Sequence, residues 1–190
     1  MLLDQSGSRK YLTKEERQRF LNVAAKSPPQ VQTFCLTLAF TGARISEVLA
    51  LTPGRIDMSA RAVVIECLKR RRRGMFRSVP VPTALIKKLD LVHDLSSRCS
   101  SAELKSIRLW PWGRTTAWGR VKQLMNAADI PPERAMPKAL RHAFGVAGTQ
   151  GGVPLHIIQR WLGHARMETT AIYANALGDE ERALADRMWL

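Results

Sequence analysis

The chain has 190 residues, of which 45% are hydrophobic, so it is long enough and apolar enough for one ordinary globular domain. Its 30 Lys and Arg residues against 16 Asp and Glu residues give a formal net charge of +14. The composition excludes a disordered tail, and the charge favours a polyanionic partner, nucleic acid ahead of an acidic membrane surface. No apolar run is long enough for a membrane span, and MLLDQSGSRK lacks the apolar core of a signal peptide, which predicts a cytoplasmic protein.

The first half of the chain predicts helices followed by a short β region. A capping box, Thr13 with Glu16, opens a helix through about Ala25. The segment PPQVQTFCLTLAFTG predicts a second helix that ends at Gly42, and RISEVLAL predicts a third, closed by Pro53. The runs RAVVIECL and FRSVPVP flank a basic tip, KRRRRGM, and predict a hairpin or a three-stranded sheet.

After Pro82 the pattern returns to helices. The predicted helical segments are about 83–97, 114–128, 137–150, 154–162, 167–175 and 179–188. Residues 1–10 are polar and are predicted to be flexible, and no repeat or linker divides residues 11–190. The sequence therefore predicts a single domain that is mainly α with a small antiparallel β-sheet, an α+β fold.

Several other residues are assigned to packing or to the surface. Cys35 and Cys67 are predicted to pack as reduced thiols, because no CxxC motif or partnering histidine spacing predicts a metal site. His93 and His156 are predicted to lie on the surface. The residues predicted to pack in the core rather than to stack on bases are Trp110, Trp112 and Trp118.

Four separated stretches combine cationic residues with one tyrosine: TGARISEVL, CLKRRRRGM, PKALRHAF and LGHARMETTAIY. Their polar residues are Arg44, Glu47, Lys69, Lys138, Arg141, His142, His164 and Tyr173. Each stretch alone has an ordinary structural interpretation, such as an i,i+3 surface pair for Arg44 and Glu47 or a core aromatic residue for Tyr173. Taken together, they supply the group of cations that a tyrosine would need in order to act as a nucleophile.

In this order the four stretches resemble the catalytic domain of the tyrosine recombinase, or phage integrase, family. TGARISE matches the family's T-G-x-R-x-S-E box, LRHAF matches its L-R-H-x-F box, and LGH is followed nine residues after its histidine by Tyr173. The resemblance extends from about Leu12 to Leu190. It implies the family's catalytic-domain fold and a site-specific recombinase that cleaves and rejoins DNA through a 3′-phosphotyrosine, in integration, inversion or resolution, without metal or cofactor.

The chemistry explains why a tyrosine would need such neighbours. A phenol has a pKa near ~10 and is a weak nucleophile at neutral pH. Attack on a phosphodiester also increases the negative charge on its non-bridging oxygens, which arginine forks can hold bidentately. The resemblance assigns the nucleophile to Tyr173, the forks to Arg44 and Arg141, the proton for the leaving 5′ oxygen to Lys69, and a phosphate hydrogen bond to His164.

The resemblance gives Glu47 and His142 supporting roles. At Lys138 the sequence differs from the family, which usually has His at this position. Lys keeps the positive charge but does not accept a proton as imidazole does, which predicts reduced or retuned activity. Type IB topoisomerases carry a similar Lys-x-x-Arg, so a nicking-closing enzyme remains an alternative. A catalytically weak DNA-binding accessory protein or regulator is another.

A second departure concerns the length of the chain. Most family members place a helical core-binding domain before the catalytic domain, whereas here the motifs begin almost at Met1. The sequence therefore resembles a short form that lacks this domain, like the short invertases that flip bacterial fimbrial promoters.

The predicted partner is double-stranded DNA, bound by a homotetramer with a helper protein and without a membrane. The basic residues assigned to DNA contact are Arg70, Arg71, Arg72, Arg73, Arg114 and Arg120. The tail, residues 179–190, is predicted to form an amphipathic helix that docks on a neighbouring subunit, or alternatively folds back on its own domain. A bacterial cytoplasmic protein that associates with the nucleoid when active is expected.

Overall fold

The N-terminal helix begins where its capping residues place it. In the computed structural model, which describes residues 2, 3, 7–68, 74–174 and 186, Oγ1 of Thr13 accepts a hydrogen bond from the N–H of Glu16 (3.2 Å). Oε2 of Glu16 accepts one from the N–H of Thr13 (2.9 Å). The predicted capping box is therefore confirmed.

Helices dominate the part of the chain that the structure describes. They are α1 (Lys14–Ala25), α2 (Pro29–Thr41), α3 (Ile45–Leu49), α4 (Thr83–His93), α5 (Leu95–Ser100), α6 (Arg114–Ala127), α7 (Pro137–Gln150), α8 (Leu155–Leu162) and α9 (Glu168–Ala171). Short 3₁₀ turns lie at Pro53–Arg55 and Leu104–Ser106. Among the described residues, no helix has the length and apolar character needed to cross a membrane.

Helix α2 lies at the centre of the fold, packed against α1, α4 and α7. Its side chains Phe34 and Leu38 are almost fully buried, and Trp110 packs edge-on against Phe34 with ring centroids 5.3 Å apart. These residues belong to a large apolar core. A smaller apolar cluster between α7 and α8 includes Val146, Ile158, Leu162 and Tyr173.

The β region forms a three-stranded antiparallel sheet in the order β1–β2–β3. The strands are β1 (Ile56–Asp57), β2 (Ala62–Glu66) and β3 (Phe76–Pro80). Residue 65 of β2 pairs with Arg77 of β3, and residue 63 pairs with Val79. Because side chains alternate along a strand, Arg77 and Val79 both point into the protein, where they are buried. The predicted mainly α fold with a small antiparallel sheet is confirmed.

The predicted helix over 83–97 is interrupted in the structure. Asp94 adopts a left-handed conformation (φ 50°), which ends α4 and starts α5. Aspartate tolerates this region better than most residues, and Oδ1 of Asp90 accepts a hydrogen bond from the N–H of Ser96 (2.9 Å). The predicted helix over 167–175 is also shorter than expected, since α9 ends at Ala171. Most of the predicted helix 179–188 lies outside the described residues.

Two predictions about side-chain exposure are wrong. His93 was predicted on the surface but is 6% exposed, because it follows Leu89 by about one turn on the buried face of α4. Its Nε2 forms a hydrogen bond with Oγ1 of Thr33 (2.9 Å). Trp118 was predicted to pack in the core but is 41% exposed, with Nζ of Lys122 over its ring at 5.0 Å. Trp118 is exposed because it lies on the outer face of α6.

Candidate active site

Arg44 lies at the start of α3, in the turn that follows α2. Gly42 ends α2 in the left-handed region (φ 60°), and a Cβ there would lie 2.7 Å from Phe144 and 2.8 Å from Leu162. The N–H of Arg44 donates to Oε2 of Glu47 (2.9 Å), and its Nη1 donates to Oε1 (2.8 Å). Backbone and side chain of Arg44 are therefore both fixed by one carboxylate.

Glu47 is a buried carboxylate that links two arginines. Its side chain is 0% exposed, and Nη2 of Arg77 donates to its Oε2 at 2.7 Å. Burial by itself raises the pKa of Glu47, but the hydrogen bond and charge of Arg77, together with those of Arg44, lower this pKa below its ordinary value. The surface-pair interpretation of Arg44 and Glu47 is therefore excluded.

Arg141, on α7, is held between two turns. Its Nη1 donates to the carbonyl of Gly42 (2.7 Å) and its Nη2 to the carbonyl of Leu162 (2.8 Å). Burial, and secondarily the charge of Arg44, lower the pKa of Arg141 to about 10, so the guanidinium stays charged at neutral pH. Two carbonyls use two of the five N–H donors of an arginine, which leaves a fixed cation with donors for an anion.

Tyr173 lies against α7, with its hydroxyl next to a histidine. Its Oη is 3.2 Å from Nδ1 of His142. Burial, followed by the charges of Lys138 and Arg141, lowers the pKa of His142 to about 4, so the imidazole is neutral at pH 7. Burial raises the pKa of Tyr173, while the charges of Arg141 and Arg44 act in the opposite direction. A neutral imidazole and two cations therefore surround the phenol.

His164 packs on the face of the Tyr173 ring, with centroids 6.3 Å apart and planes 14° apart. Its Nδ1 forms a hydrogen bond with Oγ1 of the buried Thr170 (2.9 Å). Burial, and then the charges of Arg141 and Arg44, lower the pKa of His164 to about 4. The bond to Thr170 fixes the ring and leaves Nε2 for another partner.

Tyr173 is only 1% exposed, so a DNA phosphate cannot reach its hydroxyl in this conformation. The ring fills space above Gly145, where a Cβ would lie 2.5 Å from Cζ of the tyrosine. Reaction at Tyr173 therefore requires the short turn after α9 to move. A cleft of about 270 Å³ lies between the end of α8 and the sheet and is bordered by His164 and Arg77.

The structure places the predicted site residues as follows. Arg44, Arg141, His142, His164 and Tyr173 converge, with Glu47 beneath Arg44. Lys138 is exposed in the first turn of α7, near enough for its charge to act on His142.

The basic tip itself, with Lys69 and Arg70 to Arg73, lies outside the described residues. The strand ends that bound it are joined by a hydrogen bond from the N–H of Cys67 to the carbonyl of Met75 (2.8 Å). Cys67 and Cys35 are both buried, which confirms their predicted packing.

Arg114 and Arg120 are exposed on α6. Arg120 borders a groove that also includes Pro29, Leu91 and Trp112 and whose lining contains none of the converging residues. The structure therefore places Arg120 at a different groove from the cluster, and the predicted DNA contact of both arginines stays a prediction.

Arg77 is the site-adjacent residue that the sequence motifs did not indicate. It is 6% exposed and bonds to Glu47 beneath the cluster. The segment FRSVPVP already indicated that Arg77 is buried. Side chains on a strand alternate between its two faces, so Arg77 shares a face with Val79 and Val81, which are apolar. A solvated arginine would lie on the opposite face.

The sequence profile of the Phage integrase family matches residues 10–180. The chain belongs to this family. Tyrosine recombinase XerD of Haemophilus influenzae is 26% identical over 185 residues, covering 94% of the chain and 62% of the relative. Tyrosine recombinase XerD of Mycobacterium tuberculosis is 35% identical over 140 residues, covering 70% of the chain and 43% of the relative.

The phage integrase fold is also found in solved structures. XerH site-specific recombinase, bound to its difH substrate in a pre-cleavage complex, matches with a TM-score of 0.74 at 19% identity, covering 99% of the chain and 60% of that protein. This likeness shows the fold. The chain covers less than two thirds of the length of these relatives, at 62% for XerD of Haemophilus influenzae and 43% for XerD of Mycobacterium tuberculosis.

Proposed function

We propose that this domain cleaves and rejoins double-stranded DNA as a site-specific recombinase, through a 3′-phosphotyrosine at Tyr173. The observation that carries the proposal is the convergence of two buried or half-buried arginines, two neutral histidines and one tyrosine, from α7 and from the turns beside α3, α8 and α9. Membership in the phage integrase family and relatives named tyrosine recombinases support it. The net charge of +14 supports a DNA partner.

In this proposal, the arginines bind the scissile phosphate. Arg141 is fixed by two carbonyls and Arg44 by Glu47, so neither has to reorganise when negative charge develops on the non-bridging oxygens. Nε2 of His164 would donate a further hydrogen bond to the same phosphate, because Thr170 holds the other ring nitrogen. These three side chains are therefore preorganised to bind the phosphate, while Tyr173 has to move before it can attack.

Tyr173 then attacks the phosphorus. We assign its phenolic proton to Nδ1 of His142, which is neutral and lies 3.2 Å from the hydroxyl in the closed position. The negative charge of a bound phosphodiester raises the pKa of this imidazole and makes it a better acceptor. The tyrosine oxygen–phosphorus bond forms as the bond to the 5′ oxygen breaks, and we assign the proton for that oxygen to Lys69. A 5′ hydroxyl from another strand later reverses the step, so the bond energy is conserved without a cofactor.

We further propose that recombination is carried out by a homotetramer. Exchange between two duplexes breaks four strands, and each domain supplies one tyrosine nucleophile, so four copies are needed. Docking of the tail 179–190 on a neighbouring subunit would link the four copies. A helper protein would take part, and the reaction would take place at the nucleoid in the cytoplasm. Residues 11–190 would act as one catalytic domain.

The proposal is tested by trapping the covalent intermediate. Sheared DNA from the source organism, lightly nicked so that cleaved ends diffuse away, is incubated with the protein, and DNA that remains attached after denaturation is recovered and sequenced. We expect adducts at one recurrent site with the wild type and with Tyr11→Phe, which changes the other tyrosine of the chain. Tyr173→Phe should bind DNA but form no adduct.

An adduct that persists in Tyr173→Phe, or a wild type that forms none, would contradict the proposal. Adducts spread without sequence preference, together with relaxation of any supercoiled plasmid, would instead identify a nicking-closing enzyme. The sequence of the recovered site is used to design a nicked suicide substrate, from which the cleaved end is lost.

A further inference from the structure

Arg77 uses its whole guanidinium to join three separate segments. Nη2 donates to Oε2 of Glu47 (2.7 Å), Nε donates to the carbonyl of Trp161 (2.7 Å), and Nη1 lies 3.2 Å from Sγ of Cys67. The side chain is 3% exposed, so it is a buried cation with a directional partner on each of its three nitrogens. Such an arrangement fixes the relative positions of β3, α3 and the end of α8.

Each partner of Arg77 leads to the proposed site. Glu47 holds the backbone and the guanidinium of Arg44. Trp161 precedes Leu162, whose carbonyl binds Arg141. After it the chain turns at Gly163 (φ 67°) into His164, and a Cβ at Gly163 would lie 3.1 Å from Cδ of Arg77.

Charge gives Arg77 a second role. Glu47 carries one negative charge and is hydrogen-bonded to two guanidiniums, so the trio has a net charge of +1. Without Arg77, the buried carboxylate would be neutralised by Arg44 alone, and that pair would have no net charge to offer a phosphate. Loss of Arg77 would also remove one of the two cations that compensate the buried charge of Glu47, so the carboxylate would bind Arg44 more tightly.

We propose that Arg77 is a positioning residue for DNA cleavage, which fixes Arg44 through Glu47 and His164 through the end of α8. The inference rests on the proposed recombinase function. Arg77 does not contact the phosphate in this account. It keeps the charge of Arg44 available and holds the α8 turn against the sheet.

The expected signature is a slower cleavage step with nearly unchanged DNA affinity. Arg77→Gln should lower the single-turnover cleavage rate by about 10- to 100-fold, the scale for small misplacement of catalytic groups. Its dissociation constant for DNA should change by less than about threefold, because the side chain is buried. Arg77→Lys, which retains a cation for Glu47 but not the three-way fork, should recover part of the rate.

A matched control separates positioning from stability. Arg134 has a 12% exposed side chain that pairs with the buried Glu16 at 3.3 Å, away from the cluster. Arg134→Gln and Arg77→Gln should both lower the melting temperature, but only Arg77→Gln should slow cleavage when both are assayed well below melting. If Arg77→Gln does not fold, Arg77→Lys serves in its place.

The decisive measurement is a double-mutant cycle on the suicide substrate. If Arg77 acts through Arg44, the factor by which Arg77→Gln slows cleavage should shrink in an Arg44→Lys background. An equal factor in both backgrounds, or wild-type cleavage by both Arg77 variants, would overturn the inference while wild-type adducts still support the recombinase function. Absence of adducts in the wild type would overturn the function itself, and the inference with it.

Discussion

Lys138 lies exposed in the first turn of α7, on the same helix as Arg141 and His142. Its charge contributes to the lowered pKa of His142, after burial. An ammonium in this position donates hydrogen bonds and attracts a phosphate, but unlike a neutral imidazole it has no lone pair with which to accept a hydrogen bond. The residue therefore tests whether the site uses a fixed cation here or needs proton exchange.

Substitution of Lys138 distinguishes these cases. Lys138→Ala should lower cleavage of the suicide substrate by about tenfold or more, because a cation near the developing charge is lost. Lys138→His should retain or raise the rate, since imidazole can also exchange a proton with the nucleophile. Rates are measured from pH 6 to pH 9, with Lys122→Ala on α6 as a control. Wild-type cleavage by Lys138→Ala would show that Lys138 has no part in the reaction.

The sequence motifs predicted which charged residues converge. They did not predict the partners of these residues that are distant in the chain. Arg44 and Glu47 were identified, but their burial depends on Arg77, which is 30 positions later in the chain than Glu47. His93 was misplaced for a related reason: its partner Thr33 lies on α2, 60 positions earlier. The hydrophobic periodicity of β3 and α4 indicates that Arg77 and His93 are buried. It does not indicate which residues they contact.

The turn after α9 holds Tyr173 in a closed position. The tyrosine packs over α7 at Gly145 and against His164, and its exposure is 1%. The sequence left a core aromatic residue open as the ordinary interpretation of Tyr173, but it did not predict that a nucleophile would be buried, because this burial arises from the packing of α8 against α7 and α9. The site therefore combines prepositioned arginines with a nucleophile that must move.

A side chain at Gly145 should release the tyrosine. Gly145→Ala places a Cβ 2.5 Å from Cζ of Tyr173, so the ring or the helix has to shift, at a cost on the order of 1–3 kcal/mol. We expect nitration of Tyr173, followed by mass spectrometry, to be slow in the free wild type relative to nitration of Tyr11 and faster in the variant. Gly119→Ala on α6, where a Cβ meets nothing within 4 Å, is the control. Equal nitration of Tyr173 in wild type and Gly145→Ala would show that the closed position is not occupied in solution.

Helix boundaries illustrate which element-scale features are local. The capping box at Thr13 and the Gly42 stop lie within a few residues of the boundaries they set, and both were predictable. The break at Asp94 was not, because an aspartate with positive φ is stabilised by a local turn that hydrophobic periodicity does not describe.

Across the whole molecule, a basic protein keeps two buried histidines and one half-buried histidine neutral. Burial is the largest cause that lowers the pKa values of His93, His142 and His164, each to about 4. In the unfolded chain these residues would titrate near 6.5. Between these values the unfolded state binds more protons than the folded state, so the free energy of unfolding falls as the pH decreases from about 6.5 to about 4.

Acid should therefore destabilise the protein in that pH window. Each histidine contributes on the order of 3 kcal/mol to the loss, at about 1.4 kcal/mol per unit of pKa shift. His93→Gln retains a hydrogen-bonding group for Thr33 and should reduce the acid-dependent loss, whereas the exposed His156→Gln should not. Denaturant melts at pH 7, 5.5 and 4.5 provide the test. The same acid loss in His93→Gln as in the wild type would show that His93 is not held neutral.

Covalent attachment of Tyr173 to DNA can be mapped to a single residue. The trapped adduct is digested with nuclease and trypsin, and the peptide that retains a nucleotide is sequenced by mass spectrometry. Trypsin separates the two tyrosines of the chain into residues 11–14 and residues 167–182. We expect a nucleotide 3′-phosphate on Tyr173 in the second peptide, and a nucleotide on any other residue would rule out Tyr173 as the nucleophile.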